Sequence, residues 1–216
     1  MDCRRLLLNA SLEVVTVERE PSLVAFARKH LPKNVRVEEA EIEAYLRNAA
    51  AKGQKADFIF MDLDKPMYAS CYEIIMQEGL LAPGGLLLCD NVLYRGLTAQ
   101  HRAGEMPNVS EKVASNAASL DGFLQQVKKD MNSGLVRALM MPVRDGMLAV
   151  RPRLESRSAG QIGARREGIP FRFHSRRRMN SFFVYWYWNK QVHMESSIGP
   201  FYAQRLERSK VCSVTR

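Results

Sequence analysis

Hydrophobic and polar positions follow two periods along the first 150 residues. Glu13–Glu18 (EVVTVE) is a β-branched run ending in a carboxylate, which predicts a strand. Pro21 opens a helical pattern through Leu23, Phe26, Ala27, His30 and Leu31, stopped at Pro32. Residues 34–38 (NVRVE) alternate and predict a strand, and 42–51 are helix-like up to Gly53. Residues 57–62 (DFIFMD) form an apolar strand ending in an acid. A helical stretch over 68–78 stops at Gly79, Pro83-Gly84-Gly85 marks a turn, and 86–90 (LLLCD) is again an apolar strand ending in an acid. Residues 109–131 carry a long helical pattern. Two closing strands, 135–143 and 147–150, meet at the hairpin signal Asp145-Gly146.

Strands alternating with helices predict an α/β fold with a parallel sheet and helices on both faces. The runs FIFM and LLLC are continuous rather than alternating, as strands buried on both sides require. Ligands of such sheets collect at the carboxyl ends of the strands. Three predicted strands end there in an acid: Glu18, Asp62 and Asp90.

Composition divides the chain. Of 216 residues, 32 are Lys or Arg and 23 are Asp or Glu, a formal net charge of +9. Residues 1–150 hold 18 basic and 19 acidic side chains, and residues 151–216 hold 14 and 4. The polyanion-binding signal is therefore confined to the tail. The tail also holds both tryptophans and the patch FFVYWYW at 182–188. Two regions are expected: a domain over 1–150, and a basic, aromatic, irregular and disordered tail over 151–216. Basic residues beside aromatics suit single-stranded nucleic acid or a surface, but no RNA-binding motif is present, so nucleic acid is not the expected partner.

No run of about 18 apolar residues occurs, so no membrane span is expected. The start MDCRRLLL is broken at Asn9 and Glu13 and lacks a small-residue cleavage site, which argues against a signal peptide. Cys3, Cys71, Cys89 and Cys212 show no metal-finger spacing, and Cys71 and Cys89 sit in apolar contexts. They read as buried thiols of a reducing, cytoplasmic compartment.

The strand-end acids carry the candidate chemistry. An acid closing a strand of a nucleotide-binding unit can accept two hydrogen bonds from a ribose diol, and Glu18 is placed for this. It also reads as a solvated strand end. Asp62, Asp90 and the Asn91 amide converge if their strands are neighbours, about 4.8 Å apart. Two carboxylates and an amide are hard oxygen ligands suited to Mg²⁺ or another divalent cation. Asp90-Asn91 alternatively marks a turn. Lys65, three residues past Asp62, would have its pKa lowered near a cation and serve as a general base. It alternatively reads as a surface lysine paired with Asp64.

The stretch Asp62-Leu63-Asp64-Lys65-Pro66-Met67-Tyr68 (DxDKxxY), with Pro83-Gly84-Gly85 and Asp90-Asn91-Val92-Leu93-Tyr94-Arg95-Gly96 beyond it, resembles the cation-dependent O-methyltransferases. This is the group of catechol and caffeoyl-CoA O-methyltransferases. Val15-Thr16-Val17-Glu18 and Arg144-Asp145-Gly146-Met147 agree with it in order and spacing, over about residues 13 to 150. The resemblance implies a Rossmann-like methyltransferase sheet and S-adenosylmethionine as methyl donor. Glu18 would hold the ribose and Ala40-Glu41-Ile42 would flank the adenine. Asp62, Asp90 and Asn91 would bind the metal, with Asp62 also facing the donor's methionine end. Lys65 and Asp62 would be catalytic. The acceptor would be a catechol-like or phenolic small molecule, and the assembly a homodimer.

The family pattern places a strand and a Gly-rich loop ahead of the Glu18 strand. Only Met1–Leu12 precedes it here, without a glycine. The expectation is a sheet lacking its central strand, exposed ladder edges on the neighbouring strands, and weak donor affinity. The alternative is a catalytically dead remnant whose tail binds nucleic acid or another surface.

Overall fold

The computed structural model describes residues 13–153 and the backbone of Ser181–Trp186. Strands are β1 (Glu13–Glu18), β2 (Val35–Glu39), β3 (Ala56–Asp62), β4 (Leu81–Cys89), β5 (Val136–Met141), β6 (Met147–Pro152) and β7 (Ser181–Trp186). Helices are α1 (Pro21–His30), α2 (Ile42–Ala51), α3 (Tyr68–Gln77), α4 (Leu97–Ala103) and α5 (Glu111–Asn132). Single 3₁₀ turns occupy Lys65–Met67 and Tyr94–Gly96.

The strands form one sheet in the order β2-β1-β7-β3-β4-β6-β5. The first five are parallel. β6 runs antiparallel to both β4 and β5. Right-handed crossovers then assign the layers. The β1–α1–β2 unit winds one way along the sheet; β2–α2–β3 and β3–α3–β4 wind the other way. α1 thus covers one face, while α2, α3 and α5 pack side by side on the opposite face.

The second face holds most of the core. Ile42, Tyr45, Leu46 and Ala49 of α2 are buried there, as are Tyr68, Cys71, Tyr72, Ile74 and Ile75 of α3. They pack with Ile59 and Met61 of β3, Leu87 and Cys89 of β4, and Leu120, Phe123 and Val127 of α5. The Phe123 ring meets Tyr68 and Tyr72 edge-to-face at 5.5 and 5.6 Å, each contact adding about 0.5–1.5 kcal/mol beyond area burial. Polar ties lock the helices together. Tyr72 Oη donates to Asp130 Oδ2 at 2.8 Å, and Ser70 Oγ donates to Glu43 Oε1 at 2.6 Å. On the thinner face, α1 buries only Val24.

Three expectations change. The turn at Pro83-Gly84-Gly85 lies inside β4 as a bulge: Ala56 pairs with Leu81, but Phe58 pairs with Leu86. Gly85 is required there, because a Cβ would lie 2.9 Å from the Ala82 carbonyl and 3.0 Å from that of Ala56. Residues 97–103, which carried no predicted element, form α4.

The largest change concerns the centre of the sheet. The sequence leads one to expect β1 and β3 beside a gap and an irregular tail behind residue 150. Instead the tail segment Ser181–Trp186 lies between β1 and β3, parallel to both. Val15 pairs with Phe183 on one side, and Ile59 pairs with the same residue on the other. Neither β1 nor β3 is an open edge. The expectation of disorder for residues 154–180 and 187–216, including Arg176-Arg177-Arg178, lies outside the described residues. Among the described residues no helix is long and apolar enough to cross a membrane.

Candidate functional site

The site is built on the carboxyl edge of the sheet, in two adjoining parts. The first is a shallow, solvent-open cleft above the ends of β1, β2 and β3. Glu18, Ala40, Glu41 and Ile42 all line it. The sequence singled out these four together, and the fold brings them to one place. Glu18 does not project freely into solvent. Its Oε1 accepts the backbone N–H groups of Arg19 and Glu20 at 2.8 and 2.9 Å. The carboxylate is thereby oriented through Oε1 by its own turn.

Leu63, Asp64, Met67 and Arg19 also line the cleft and were not singled out as site residues. The signal for the first three was present, since they belong to the same DxDKxxY stretch as Asp62. Arg19 reaches across the mouth to Glu41 at 3.6 Å and Asp64 at 3.8 Å. All three side chains are roughly half exposed, so each pair adds well under about 1 kcal/mol and the mouth opens at little cost.

The second part lies at the seam between β3 and β4. Met61 is in register with Cys89, and the Asp90 N–H donates to the Met61 carbonyl at 3.0 Å. Asp62 and Asp90 therefore leave adjacent strands side by side. The Lys65 ammonium is 3.7 Å from Asp62 Oδ1, with its side chain only 13% exposed. Lys65 is thus not a surface lysine, and Asp64 instead faces Arg19. Burial pushes the Asp62 carboxyl up to about 6; the Lys65 ammonium opposes this and the Asp90 carboxylate adds to it. Burial also lowers the Lys65 pKa, against the pull of Asp62 and Asp90. A lowered lysine pKa is what a proton acceptor near neutral pH requires.

Asn91 comes next, on a tight bend. Its N–H donates to Asp90 Oδ1 at 2.7 Å, and its φ is 57°. Tyr94 and Arg95, with φ of 45° and 57°, share the same loop. The other non-glycine residue with positive φ among the described residues is Arg144, in the β5–β6 hairpin. The two loops are bonded together: Val92 N–H donates to the Gly146 carbonyl and Leu93 N–H to that of Asp145. A Cβ on Gly146 would lie 2.3 Å from Leu93 Cγ, so the clamp requires glycine. Backbone strain of this kind persists only where surrounding structure enforces it, and it collects at functional sites. The hairpin motif thus has a second task, backing the Asp90-Asn91 loop.

Asp62, Asp90 and Asn91 supply hard oxygen donors at one seam. Burial is the main cause of the raised Asp62 carboxyl; Lys65 pulls against it and the Asp90 carboxylate adds to it, so the lysine offsets the cost of the charge only in part. A divalent cation fits that deficit. Among the described residues no group of three or more His, Cys, Asp or Glu side chains is gathered for a metal; an Asp62/Asp90/Asn91 set would take its third donor from an amide.

A doubly wound parallel sheet, with a cleft at its carboxyl edge and acids closing its strands, defines the Rossmann-like methyltransferase fold. The chain belongs to the O-methyltransferase family, whose model matches residues 13–153. It is 34% identical over 94 residues to "Probable caffeoyl-CoA O-methyltransferase 1" of Dictyostelium discoideum, covering 44% of this chain and 35% of the relative. It is 23% identical over 95 residues to the O-methyltransferase ankF of Aspergillus thermomutatus, covering 44% of this chain and 40% of the relative. Among solved structures it is similar to the SAH-bound Podospora anserina methyltransferase PaMTH1. The TM-score is 0.55 and the identity 29%, over 65% of this chain and 61% of that one. The chain therefore spans well under half the length of these curated relatives.

Proposed function

We propose that this chain carries the donor and metal sites of an S-adenosylmethionine-dependent, divalent-cation-dependent O-methyltransferase. Its acceptor is a hydroxyl of a catechol-like or phenolic small molecule. The observation that carries this reading is the pairing of the two parts: a cleft holding Glu18 and Ala40-Glu41-Ile42 beside a seam holding Asp62, Lys65 and Asp90.

Glu18 accepts from the donor's ribose, and Ala40-Glu41-Ile42 flank its adenine. Asp62, Asp90 and Asn91 hold the cation, Mg²⁺ being the hard-ligand choice. The bound cation supplies Lewis-acid polarisation of the acceptor hydroxyl, and the donor supplies an electrophilic methyl. Lys65 accepts the hydroxyl proton at Nζ. The strand ends hold these groups in fixed mutual positions, so positioning provides much of the rate. The buried, free thiols Cys71 and Cys89 support a reducing, cytoplasmic setting. A homodimer belongs to the same reading, and the exposed Leu135, Leu139 and Val143 at the β5 end of the sheet offer apolar surface for it.

The test is methyl transfer from S-adenosylmethionine to catechol, with and without Mg²⁺. Transfer that needs Mg²⁺ and disappears in both Asp62→Ala and Asp90→Ala is the expected outcome. Transfer that survives both substitutions would sink the metal assignment.

A further inference from the structure

The sequence pattern contains a tyrosine, Tyr68, to which no role has been assigned. It is completely buried at the start of α3, under the seam where β3 and β4 end. Its hydroxyl meets three groups of the site. Lys65 Nζ donates to it at 3.1 Å, and it lies 2.7 Å from the Asp90 carbonyl and 3.5 Å from the Met61 carbonyl.

The direction of these bonds is set by the chemistry of the partners. An ammonium has only donors, so towards Lys65 the hydroxyl is the acceptor. Its single proton then goes to a carbonyl, and the shorter distance selects Asp90. We propose that Tyr68 is a positioning residue for the proton-accepting lysine, holding Lys65 Nζ at the β3–β4 seam through a hydroxyl whose own proton is committed to the Asp90 carbonyl. This rests on Lys65 being the base of the proposed reaction.

The arrangement has two consequences. The lysine is aimed from two sides, by the Asp62 carboxylate and the Tyr68 hydroxyl, so its flexible stem is confined. When Lys65 is neutral, Tyr68 has no proton to offer its lone pair. The lone pair stays available for a substrate proton rather than being consumed within the site.

Tyr68→Phe isolates the hydroxyl, because the ring keeps its place against Phe123. Acetic anhydride labelling of the full chain at one pH, read by mass spectrometry, reports the freedom of Lys65 Nζ without needing activity. Labelling of Lys65 is expected to rise about threefold or more, with Lys112 and Lys128 unchanged. An unchanged Lys65 rate overturns the proposal. With catechol as acceptor, kcat is expected to fall about tenfold, with donor affinity and acceptor KM unchanged. In a Lys65→Met background Tyr68→Phe should cost nothing further. A full additional loss there means that Tyr68 does not act through the lysine. Should Tyr68→Phe not fold, the ¹³C shift of Tyr68 Cζ decides instead: it should move in Lys65→Met, and an unmoved signal overturns the proposal. Absence of methyl transfer by the wild-type chain would count against the proposed function, while the labelling result would still decide the role of Tyr68.

Discussion

Two strand-ending acids a short way apart on one sheet edge have different surroundings. Glu18 stands at the open cleft, with one oxygen tied to the amides of its own turn. Asp62 stands at the seam, part-buried beside a lysine and a second carboxylate, its carboxyl held up at about 6. A similar motif, an apolar strand closed by an acid, has left one carboxylate bonded to backbone amides and the other beside an ammonium and a second carboxylate. The difference lies in the course of the chain beyond each strand. After β1 the chain turns into α1 on the thinly packed face; after β3 it dives into Tyr68 and the Phe123 core.

The comparison can be broken at either acid. The largest effect is expected at the seam, where Lys65→Met should lower kcat for catechol methylation by about 10²–10⁴-fold with donor affinity unchanged by calorimetry. At the cleft, Glu18→Gln should do the reverse, weakening donor binding about tenfold or somewhat more while leaving the kcat at saturating donor within a few-fold. A loss of kcat in Glu18→Gln equal to that in Lys65→Met would erase the distinction.

Stability sharpens it further. The folded Asp62 carboxyl titrates near 6, above its ordinary value of 3.8. Its ionisation therefore opposes folding at neutral pH, and this opposition fades as pH falls through about 6 towards 4. In chelator-treated protein at pH 7, Asp62→Asn is expected to add about 1–2 kcal/mol of stability, with the gain shrinking on acidification. Urea unfolding at pH 7 and pH 4 checks this, and a net loss at pH 7 would contradict it.

The smallest effect belongs to an acid away from the site. Asp121 on α5 is pulled up by burial but held below its ordinary pKa overall by Arg102 and His101, which bond it at 2.6 and 3.1 Å. Its contribution is present at neutral pH and is lost as pH falls through that lowered value. Asp121→Asn should cost under about 1 kcal/mol at pH 7, and the difference from wild type should vanish in strong acid.

Much of this was legible in the residues. Glu13–Glu18 and Ile42–Ala51 have the bounds their periodicity predicts, and Gly53, with φ of 66°, follows the helix two residues on. Glu18 and Ala40–Ile42 meet in one cleft because successive parallel strands end on the same edge. Asp62 and Asp90 leave neighbouring strands at that same edge for the same reason, with Lys65 beside Asp62. The features that escaped depended on long-range structure. The bulge at Pro83-Gly84-Gly85 looks like a turn until a neighbouring strand pairs across it. The left-handed backbone at Tyr94 and Arg95 has no local signature, since neither residue favours it; the clamp from Asp145 and Gly146 enforces it. Nothing in FFVYWYW says where its strand belongs. Its place is set by two ladders belonging to β1 and β3.

That placement also decides how the chain must be assembled. β7 lies inside the sheet, third of seven in spatial order, yet it is the last of the described strands along the chain, and its partners β1 and β3 precede it by more than 100 residues. On a ribosome both partners emerge, complete and with bare ladders, well before residues 181–186 exist. Sheet closure is then a late, non-local event, the kind that is slow to form and leaves edges open to other chains meanwhile. For this molecule the interval between synthesis of β3 and arrival of β7 is the period of greatest exposure to aggregation. A chaperone that shields strand edges would exert its largest effect there.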